Sequence, residues 1–365
     1  MPYFTRRFGM SADRQPALQP PYVVVANHVT ELDFLFVGKV FKRPMGFVVG
    51  EGLLRSRLMR FLLVNVFGCI PKLKGAADAR TSMGMLRRLR EGRSVCLFAE
   101  GNTTFDGRTG LMNPATGSLL RAVGAGLVTL RIEGGYFAMP RWGRGIRRGR
   151  TAYRVVGVYP EAALKEMSAA QINGVLARDL YEDAYARQAQ SPVPFSGKRR
   201  AEGIEHVLYR CPVCEAQGSI TGQGNRVLCT ACGASAEYTE EGMLEGGFGQ
   251  KTILAWAAWQ KGRMREALAS GDSGLAWDAE QTLYERKEDG SLAPFAQGSM
   301  MMGADALALG AFHAAPVDIT GFEIYRKNII QFTLADGRHF QTGMKTGFNA
   351  LKYRDLYELI RETGG

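Results

Sequence analysis

The sequence predicts an α/β domain, with a sheet covered by helices, followed by a cysteine-rich module and a small β-rich C-terminal domain. Apolar runs rich in β-branched residues alternate with helical patterns between residues 22 and 190, which is typical of a sheet covered on its faces. Two C-x-x-C pairs come next, and short strand patterns separated by turn signals fill the tail. A proline-rich break at 191–194 ends the first pattern. We therefore divide the 365 residues into domains 1–200, 201–245 and 246–365.

Each element of this fold has its own signal in the sequence. In the first domain, apolar runs predict strands at 22–26, 94–98, 127–132 and 153–159. Apolar residues at helical spacing predict helices at about 51–66, 77–91, 114–124 and 167–188. In the tail we expect helices near 251–269 and 348–362, with short strands between about 293 and 347. The closing helix should cap this small β domain.

Charge is distributed unevenly along the chain. Residues 1–200 hold 31 basic and 14 acidic side chains, a net charge of +17, whereas residues 201–365 hold 15 and 21, a net charge of −6. A strongly basic first part indicates an anionic partner, which could be a membrane surface, a nucleic acid or a phosphorylated substrate. No helix-turn-helix or pattern of stacking aromatic residues is evident, so we do not expect nucleic acid as a partner.

Several features favour a protein that docks on a membrane surface without crossing it. No run approaches the roughly 18–20 apolar residues that a membrane-spanning helix needs, and the polar residues 1–20 show no secretory signal. Arginines mix with long apolar side chains at 52–63, and five arginines lie beside Trp142 at 140–150, which suits docking on anionic headgroups. The alternative is a buried amphipathic helix and a solvated arginine loop. We expect a cytoplasmic protein bound peripherally to the inner face of the cell membrane.

A histidine and an aspartate follow the first predicted strand. His28 comes where the chain leaves the sheet, and ligand sites in α/β sheets lie at such strand ends. Asp33 lies five residues further on, so the two side chains can meet only if His28 precedes or begins a helix and Asp33 reaches back. The carboxylate would then fix the imidazole tautomer and stabilise imidazolium. The alternative is a helix-capping histidine with a solvated aspartate.

Two further segments carry polar residues at candidate positions. Glu100 and Gly101 emerge from the end of the strand at 94–98, where they could present hydrogen bonds to a polyol or a phosphate. The alternative is a simple glycine-containing turn. Between the two strand ends, Lys72 and Lys74 follow an apolar run.

These segments together carry a family resemblance. In order, they are Asn27-His28 with Asp33 five residues on, a Gly-x-Ile segment that ends in a basic residue, and a Phe-x-Glu-Gly segment. The set resembles the PlsC-type glycerolipid acyltransferases over roughly residues 20–190, and a fourth family motif matches 126–130 loosely.

The resemblance implies a function for each matching residue. His28 would be the general base that takes the proton from an acceptor hydroxyl, and Asp33 would orient it. The hydroxyl would attack an acyl thioester directly, without a covalent acyl-enzyme and without a cofactor for the chemistry. The substrate-binding residues that the resemblance implies, for the acceptor phosphate and for the shape of the acceptor site, are Lys72, Lys74, Glu100, Gly101, Asn102 and Thr103.

The third motif departs from the family pattern, which usually reads Phe-Pro-Glu-Gly-Thr-Arg. Ala99 replaces the proline and Thr103 replaces the arginine. Loss of an arginine removes a bidentate clamp for a phosphate.

The expected acceptor is a lysophospholipid, 1-acyl-glycerol-3-phosphate, and the expected donor is acyl-ACP or acyl-CoA. Two alternatives stay open. One is an acyltransferase for another lipid or glycolipid hydroxyl, and the other is a non-enzymatic scaffold that binds anionic partners and contains the cysteine module, a zinc ribbon, described next.

The second domain contains a candidate metal site. Two C-x-x-C pairs with a spacer of fourteen residues supply four cysteines: Cys211, Cys214, Cys229 and Cys232. Two such pairs converge on one tetrahedral zinc ion, and the pattern resembles a zinc ribbon. Because the protein supplies all four ligands, the zinc would be structural.

Overall fold

The protein is described by a computed structural model. The residues that it describes are 2–13, 17–50, 58, 61–66, 68–72, 79–272, 275–287, 289–345 and 347–363. They divide into two compact units. The N-terminal unit holds the described residues up to 198 together with 240–242, and the C-terminal unit holds 199–239 and those from 243 onward. The cysteine module and the tail share the second unit, and their division into two domains stays a prediction.

The N-terminal unit is built on a seven-stranded sheet with the order β1-β7-β6-β2-β5-β3-β4. Its strands are β1 (Met10–Ala12), β2 (Tyr22–Ala26), β3 (Met45–Gly50), β4 (Ile70–Lys72), β5 (Ser94–Phe98), β6 (Gly126–Glu133) and β7 (Thr151–Tyr159). Strands β2 to β6 are parallel to one another, whereas β7 is antiparallel to β6 and β1 pairs in parallel with β7. The carboxyl ends of β2 and β5 therefore lie side by side at one edge of the sheet.

Helices connect these strands. They are α1 (Pro2–Arg7), α2 (Asp33–Phe41), α3 (Ala79–Arg90), α4 (Ala115–Val123), α5 (Gly135–Ala138), α6 (Glu161–Glu166), α7 (Ala169–Asp179) and α8 (Ala184–Gln190), with a π-helical segment at Phe61–Val66. The predicted single helix at 167–188 is wrong, because α7 ends at Asp179 and Asp183 caps the start of a separate helix, α8. Ser168 accepts from the Gln171 N–H at the start of α7, and Asp183 accepts from the Ala186 N–H at the start of α8.

The core explains why the central strands could be recognised. All five residues of β2 are buried, as expected for a parallel strand covered on both faces. Val23 and Val25 pack in one cluster with Leu97 of β5, Leu120 of α4 and Leu176 of α7. Each such side chain, when fully buried, stabilises the fold by roughly 1.5–3 kcal/mol.

Seven elements of the N-terminal unit were not predicted: strands β1, β3 and β4 and helices α1, α2, α5 and α6. Strands β1 and β4 have three residues each, which is too short for a pattern. Strand β3 contains two glycines, a residue type that is depleted in strands. Helix α2 is apolar around most of its surface and shows little helical periodicity. Of the helix predicted at 51–66, residues 51–57, 59 and 60 lie outside the described residues.

The C-terminal unit contains two antiparallel sheets. The first has the order β11-β10-β9-β8 and consists of β8 (Ile220–Gln223), β9 (Arg226–Cys229), β10 (Ser235–Tyr238) and β11 (Leu244–Gly246). The second has the order β15-β14-β13-β12-β18-β17-β16. Its strands are β12 (Ala276–Arg286), β13 (Leu292–Met302), β14 (Leu307–Leu309), β15 (Phe312–Ala314), β16 (Ile319–Tyr325), β17 (Ile329–Leu334) and β18 (His339–Thr342). Short 3-10 turns lie at Ile204–His206 and Pro316–Asp318.

Two helices complete this unit, α9 (Ile253–Ala269) and α10 (Ala350–Thr363). Helix α10 packs on the second sheet, where the Tyr357 ring stacks on Phe322 with a centroid distance of 4.8 Å. The predicted fold class is confirmed: an α/β sheet, a cysteine cluster and a C-terminal antiparallel sheet with a closing helix. Among the helices in the described part of the chain, none is long and apolar enough to cross a membrane.

Candidate active site

The centre of the site is the pair His28 and Asp33. The chain leaves β2 after Ala26, and α2 begins at Asp33, so the two side chains lie on either side of a short loop. Asp33 Oδ2 lies 3.0 Å from His28 Nδ1. The structure therefore brings the predicted pair into hydrogen-bonding contact, with His28 before the helix and Asp33 in its first turn, as the spacing requires.

Three other donors hold the Asp33 carboxylate in place. Its Oδ2 atom accepts from the backbone N–H groups of Val29 and Thr30 at 2.8 and 3.0 Å, and Oδ1 accepts from the Thr30 hydroxyl at 2.6 Å. The side chain is fully buried, and a negative charge at the start of a helix is stabilised by the helix dipole. The carboxylate is thus a fixed acceptor for the imidazole.

The imidazole ring of His28 has one protected side and one accessible side. It stacks on Phe98 of β5 with a centroid distance of 4.3 Å and an interplanar angle of 17°. Its side chain keeps 20% of its surface exposed. Nδ1 faces the Asp33 carboxylate, a contact that in a neutral imidazole favours the tautomer with the proton on Nδ1 and the lone pair on Nε2.

Glu100 joins two loops of the site through its carboxylate. Oε1 accepts from the His28 N–H at 2.7 Å, and Oε2 accepts from the Gly110 N–H at 2.6 Å. Burial raises the pKa of Glu100 to about 8, although the two backbone donors act in the opposite direction. The structure therefore places this predicted substrate-binding residue behind the site, where it holds the backbone that shapes it.

The other predicted substrate-binding residues have different positions. Gly101 adopts a φ of +71°, a left-handed conformation that favours glycine, and Thr103 is nearly buried. Lys72 is the last residue of β4, whose carboxyl end lies at the same sheet edge as His28. Lys74 lies outside the described residues. The binding roles of all these residues stay predictions.

Asn27 and Arg141 are two residues of the site that the sequence analysis did not select. The Asn27 amide donates to the Ile132 carbonyl at 3.0 Å and accepts from the Ile132 N–H at 2.7 Å, which fixes the end of β2 to β6. A polar residue directly after an apolar strand was the available signal. Arg141 contacts the loop that follows β5, and no sequence signal connected the two segments.

The arginine-rich segment at 140–150 differs from the sequence expectation. The prediction that Trp142 contributes to a membrane-docking surface is wrong, because its side chain is fully buried. Its indole N–H donates to the Tyr136 hydroxyl at 3.1 Å, and the Arg147 guanidinium lies 5.2 Å from the centre of its ring. An indole with a partner for its N–H is stable in the core, and Arg141 and Arg147 are buried too.

The four cysteines of the C-terminal unit converge. Their sulfur atoms all lie within 4.8 Å of one another, with Cys211 to Cys232 and Cys214 to Cys229 each at 3.8 Å. A tetrahedral zinc ion with Zn–S bonds of about 2.3 Å would separate two sulfurs by about 3.8 Å. These four residues could therefore hold one metal ion.

Comparison with known proteins identifies the first part of the chain. Residues 10–133, which contain His28, Asp33 and Glu100, match the family model described as Acyltransferase. This part of the chain is therefore similar to the acyltransferases of the PlsC type. The resemblance inferred from the motifs is thereby confirmed for this domain.

Two relatives of the acyltransferase domain can be named. One is the chloroplastic 1-acyl-sn-glycerol-3-phosphate acyltransferase LPAT1 of Arabidopsis thaliana, which is 28% identical over 138 residues, or 36% of this chain. The match spans 37% of the length of that relative. The other is the crystal structure of the 1-acyl-sn-glycerophosphate acyltransferase PlsC from Thermotoga maritima. It aligns with a TM-score of 0.42 at 14% identity, over 50% of this chain and 72% of that one.

The raised pKa of Glu100 predicts how the stability of a Glu100→Gln variant depends on pH. Because the pKa of about 8 lies above the ordinary value of 4.5, the contribution of Glu100 to wild-type stability is fully present below pH 4.5 and is lost as the pH rises towards 8. Glutamine cannot ionise, so we expect the free energy of unfolding of the variant, relative to the wild type, to increase by about 3 kcal/mol between pH 5 and pH 8. Urea unfolding at the two pH values measures this difference.

Glu166→Gln is the matched control, because this glutamate is exposed at the end of α6. Its stability relative to the wild type should not vary over the same pH range. An equal pH dependence in the wild type and in Glu100→Gln would contradict the assignment of a raised pKa to Glu100.

Proposed function

We propose that this protein transfers a fatty acyl group from a thioester donor to the free hydroxyl of a lysophospholipid, 1-acyl-glycerol-3-phosphate, with His28 as general base. The observation that carries the proposal is the 3.0 Å contact between Asp33 Oδ2 and His28 Nδ1 at the end of β2. The match of this segment to the acyltransferase family supports the reaction class. The name of the Arabidopsis relative, a 1-acyl-sn-glycerol-3-phosphate acyltransferase, supports the acceptor.

The reaction begins with a proton transfer. Asp33 holds the Nδ1 proton of His28, and the Nε2 lone pair takes the proton of the acceptor hydroxyl as its oxygen attacks the thioester carbonyl carbon. The buried carboxylate stabilises the imidazolium that forms, while retaining its own negative charge. Positioned proton transfer of this kind contributes about 10²–10⁴-fold to a rate.

The second step returns the proton. The tetrahedral intermediate collapses, the carbon–sulfur bond breaks, and the leaving thiolate takes the proton from His28 Nε2. The products are the new ester and the free thiol of the donor, acyl-ACP or acyl-CoA. No covalent acyl-enzyme forms, so the reaction needs neither a nucleophilic side chain nor a cofactor.

The acceptor site is formed by the loop that follows β5, together with the basic residues near β4. Glu100 and Gly101 set the path of this loop, and Asn102 and Thr103 follow them. Lys72 and Lys74 supply positive charge for the acceptor phosphate.

A second candidate function is transfer of the acyl group to an uncharged lipid or glycolipid hydroxyl. It follows from Thr103, which stands where the family pattern has an arginine. A panel of lysophospholipid, monoacylglycerol and glycolipid acceptors separates the two.

The acyltransferase domain docks on an anionic membrane at the inner face of the cell membrane. Its basic charge supports this, and so do three exposed apolar side chains within and just after the arginine-containing segment 52–60. The exposed fractions of Leu58, Phe61 and Val66 are 66%, 57% and 59%. Apolar groups that insert at the interface, combined with attraction to anionic lipids, are the ordinary means of peripheral binding.

His28→Ala tests the catalytic role. Without Nε2 the acceptor hydroxyl keeps its proton, so we expect acyl transfer to decrease by about 10²–10⁴-fold. The fold should be retained, because the partly exposed ring contributes little to the core. Steady-state transfer of a labelled acyl group to 1-acyl-glycerol-3-phosphate, with each thioester donor, measures the effect.

His313→Ala, which removes an exposed histidine of β15, is the matched control and should keep full activity. Transfer by His28→Ala at the wild-type rate would refute the general base. An absence of transfer by the wild type with every acceptor and donor would favour the non-enzymatic scaffold that binds anionic partners.

Vesicle binding tests the docking surface. The wild-type protein should bind vesicles that contain anionic phospholipid more tightly than neutral ones, and this binding should weaken from low to high salt, because ions screen surface attraction. Sedimentation with vesicles of both compositions measures it. Equal binding to neutral and anionic vesicles at every salt concentration would contradict an electrostatic docking surface.

The four cysteines hold one structural zinc ion. Zinc is the metal that a Cys₄ set of this spacing selects, and four protein ligands leave no open position for catalysis. The ion would be held by Cys211, Cys214, Cys229 and Cys232 and would stabilise the small sheet β8–β11. Such a module has too little core to fold without its metal.

Cys229→Ser should therefore lower the zinc content from one ion per chain and unfold this sheet locally. The acyltransferase domain has its own core and catalytic pair, so a detergent-solubilised sample should retain a substantial part of its acyl transfer. Metal analysis and activity on the same sample measure both effects. Cys69→Ala, in the core of the N-terminal unit, should keep its zinc. Full zinc content in Cys229→Ser would refute the ligand assignment, and complete loss of activity with a folded N-terminal unit would refute a purely structural role.

A further inference from the structure

Arg141 is a buried arginine that lies against the acceptor loop, residues 100–104. Only 7% of its surface is exposed. Its Nη1 atom donates to the Thr103 carbonyl at 3.1 Å and to Asn102 Oδ1 at 3.4 Å. The guanidinium also lies 4.2 Å from the centre of the Phe105 ring, which follows the loop. One side chain from a distant segment thus contacts three nearly consecutive residues.

The acceptor loop is itself attached to the catalytic histidine. The Thr104 N–H donates to the His28 carbonyl at 3.0 Å, and Glu100 accepts from the His28 N–H at 2.7 Å. Both ends of the loop are therefore fixed to the backbone of His28. Arg141 holds the middle, where Asn102 and Thr103 lie between these two attachments.

The burial of a guanidinium requires a reason. Transfer of an ionised side chain from water is costly unless its N–H groups find acceptors, and here a backbone carbonyl and an amide oxygen are acceptors on the loop. Arginine suits this arrangement better than lysine, because its planar group can donate in fixed directions and stack on an aromatic ring at the same time. The contacts of Arg141 thus depend on the conformation of the loop.

We propose that Arg141 is a positioning residue for acyl transfer, which sets the shape of the acceptor site by holding Asn102 and Thr103. This inference rests on the proposed function of the site. Because the guanidinium is nearly buried and donates to the loop, it acts through the loop and not by contact with the acceptor. A change at Arg141 should therefore misplace the acceptor hydroxyl relative to His28 Nε2 and leave donor binding unaltered.

Arg141→Met and Arg141→Lys in the full-length, detergent-solubilised protein test the proposal. We expect kcat for 1-acyl-glycerol-3-phosphate to decrease by about 100-fold in Arg141→Met, which is typical of a displacement of about 1 Å. The KM for the thioester donor should stay within about twofold of the wild type. Arg141→Lys should recover less than about a tenth of the lost activity, since an ammonium lacks the planar group. Arg121→Met, an exposed arginine of α4, is the matched control and should match the wild type.

Hydrogen–deuterium exchange supplies a readout that does not depend on activity. Backbone amides in peptides that cover 100–106 should exchange faster in both Arg141 variants, whereas peptides from β6 should exchange as in the wild type. Where Arg141→Met does not fold, Arg141→Lys decides by the same two measurements. Where the wild type shows no acyl transfer, the proposed function fails, and exchange alone still shows whether Arg141 holds the loop.

Three results would overturn the proposal. One is wild-type kcat in Arg141→Met. Another is faster exchange throughout the N-terminal unit, which would indicate a role in general stability. The third is a loss confined to phosphate-bearing acceptors, with an uncharged monoacylglycerol acylated as by the wild type, because this would make Arg141 a direct ligand of the phosphate.

Discussion

The proposed catalytic arrangement depends on one buried carboxylate at the start of a helix. Asp33 accepts hydrogen bonds from two backbone N–H groups and one hydroxyl, and these contacts leave it a single direction in which to meet His28. Because these contacts fix the position of the carboxylate, the carboxylate determines the orientation of the imidazole ring. The tautomer of His28, the direction of Nε2 and the entry of the chain into α2 all follow from this contact.

A parallel sheet makes the arrangement possible. The carboxyl ends of β2 and β5 are neighbours, so the loops that follow them face each other across a few ångströms, and their backbone groups need partners that the sheet no longer provides. Asn27, Glu100 and Arg141 supply these partners. Side chains that satisfy backbone groups at the sheet edge therefore also fix the surface on which the acceptor would bind.

The sequence was sufficient where a physical constraint acts over a short stretch of chain. Strands β2 and β5 were predicted with their observed bounds, because burial on both faces requires continuous apolar runs. The same reasoning failed for β3, where glycines obscure the strand, and for α2, where apolar residues such as Phe34 also occupy the more exposed face. The segment 167–188 was predicted as one helix, although it is divided at residues 180–183, where α7 ends and Asp183 caps the start of α8.

The contacts of the site, too, were easier to predict where the residues lie close together in the sequence. His28 and Asp33 are five residues apart, so their contact can be inferred from local geometry. The two cysteine pairs meet across 15 and 21 residues, and their convergence was inferred from the recurring spacing of a zinc ribbon. Arg141 meets Thr103 across 38 residues, and Trp142 is covered by a fold that no local pattern encodes. From sequence alone, an arginine beside a tryptophan in a glycine-rich segment predicts an exposed surface. The structure shows instead that the N–H groups of both side chains donate hydrogen bonds inside the fold. Once the partners are known, the same residues belong to the interior of the N-terminal unit, and the Arg141 guanidinium, whose charge suggested a membrane contact, donates to the loop that follows β5.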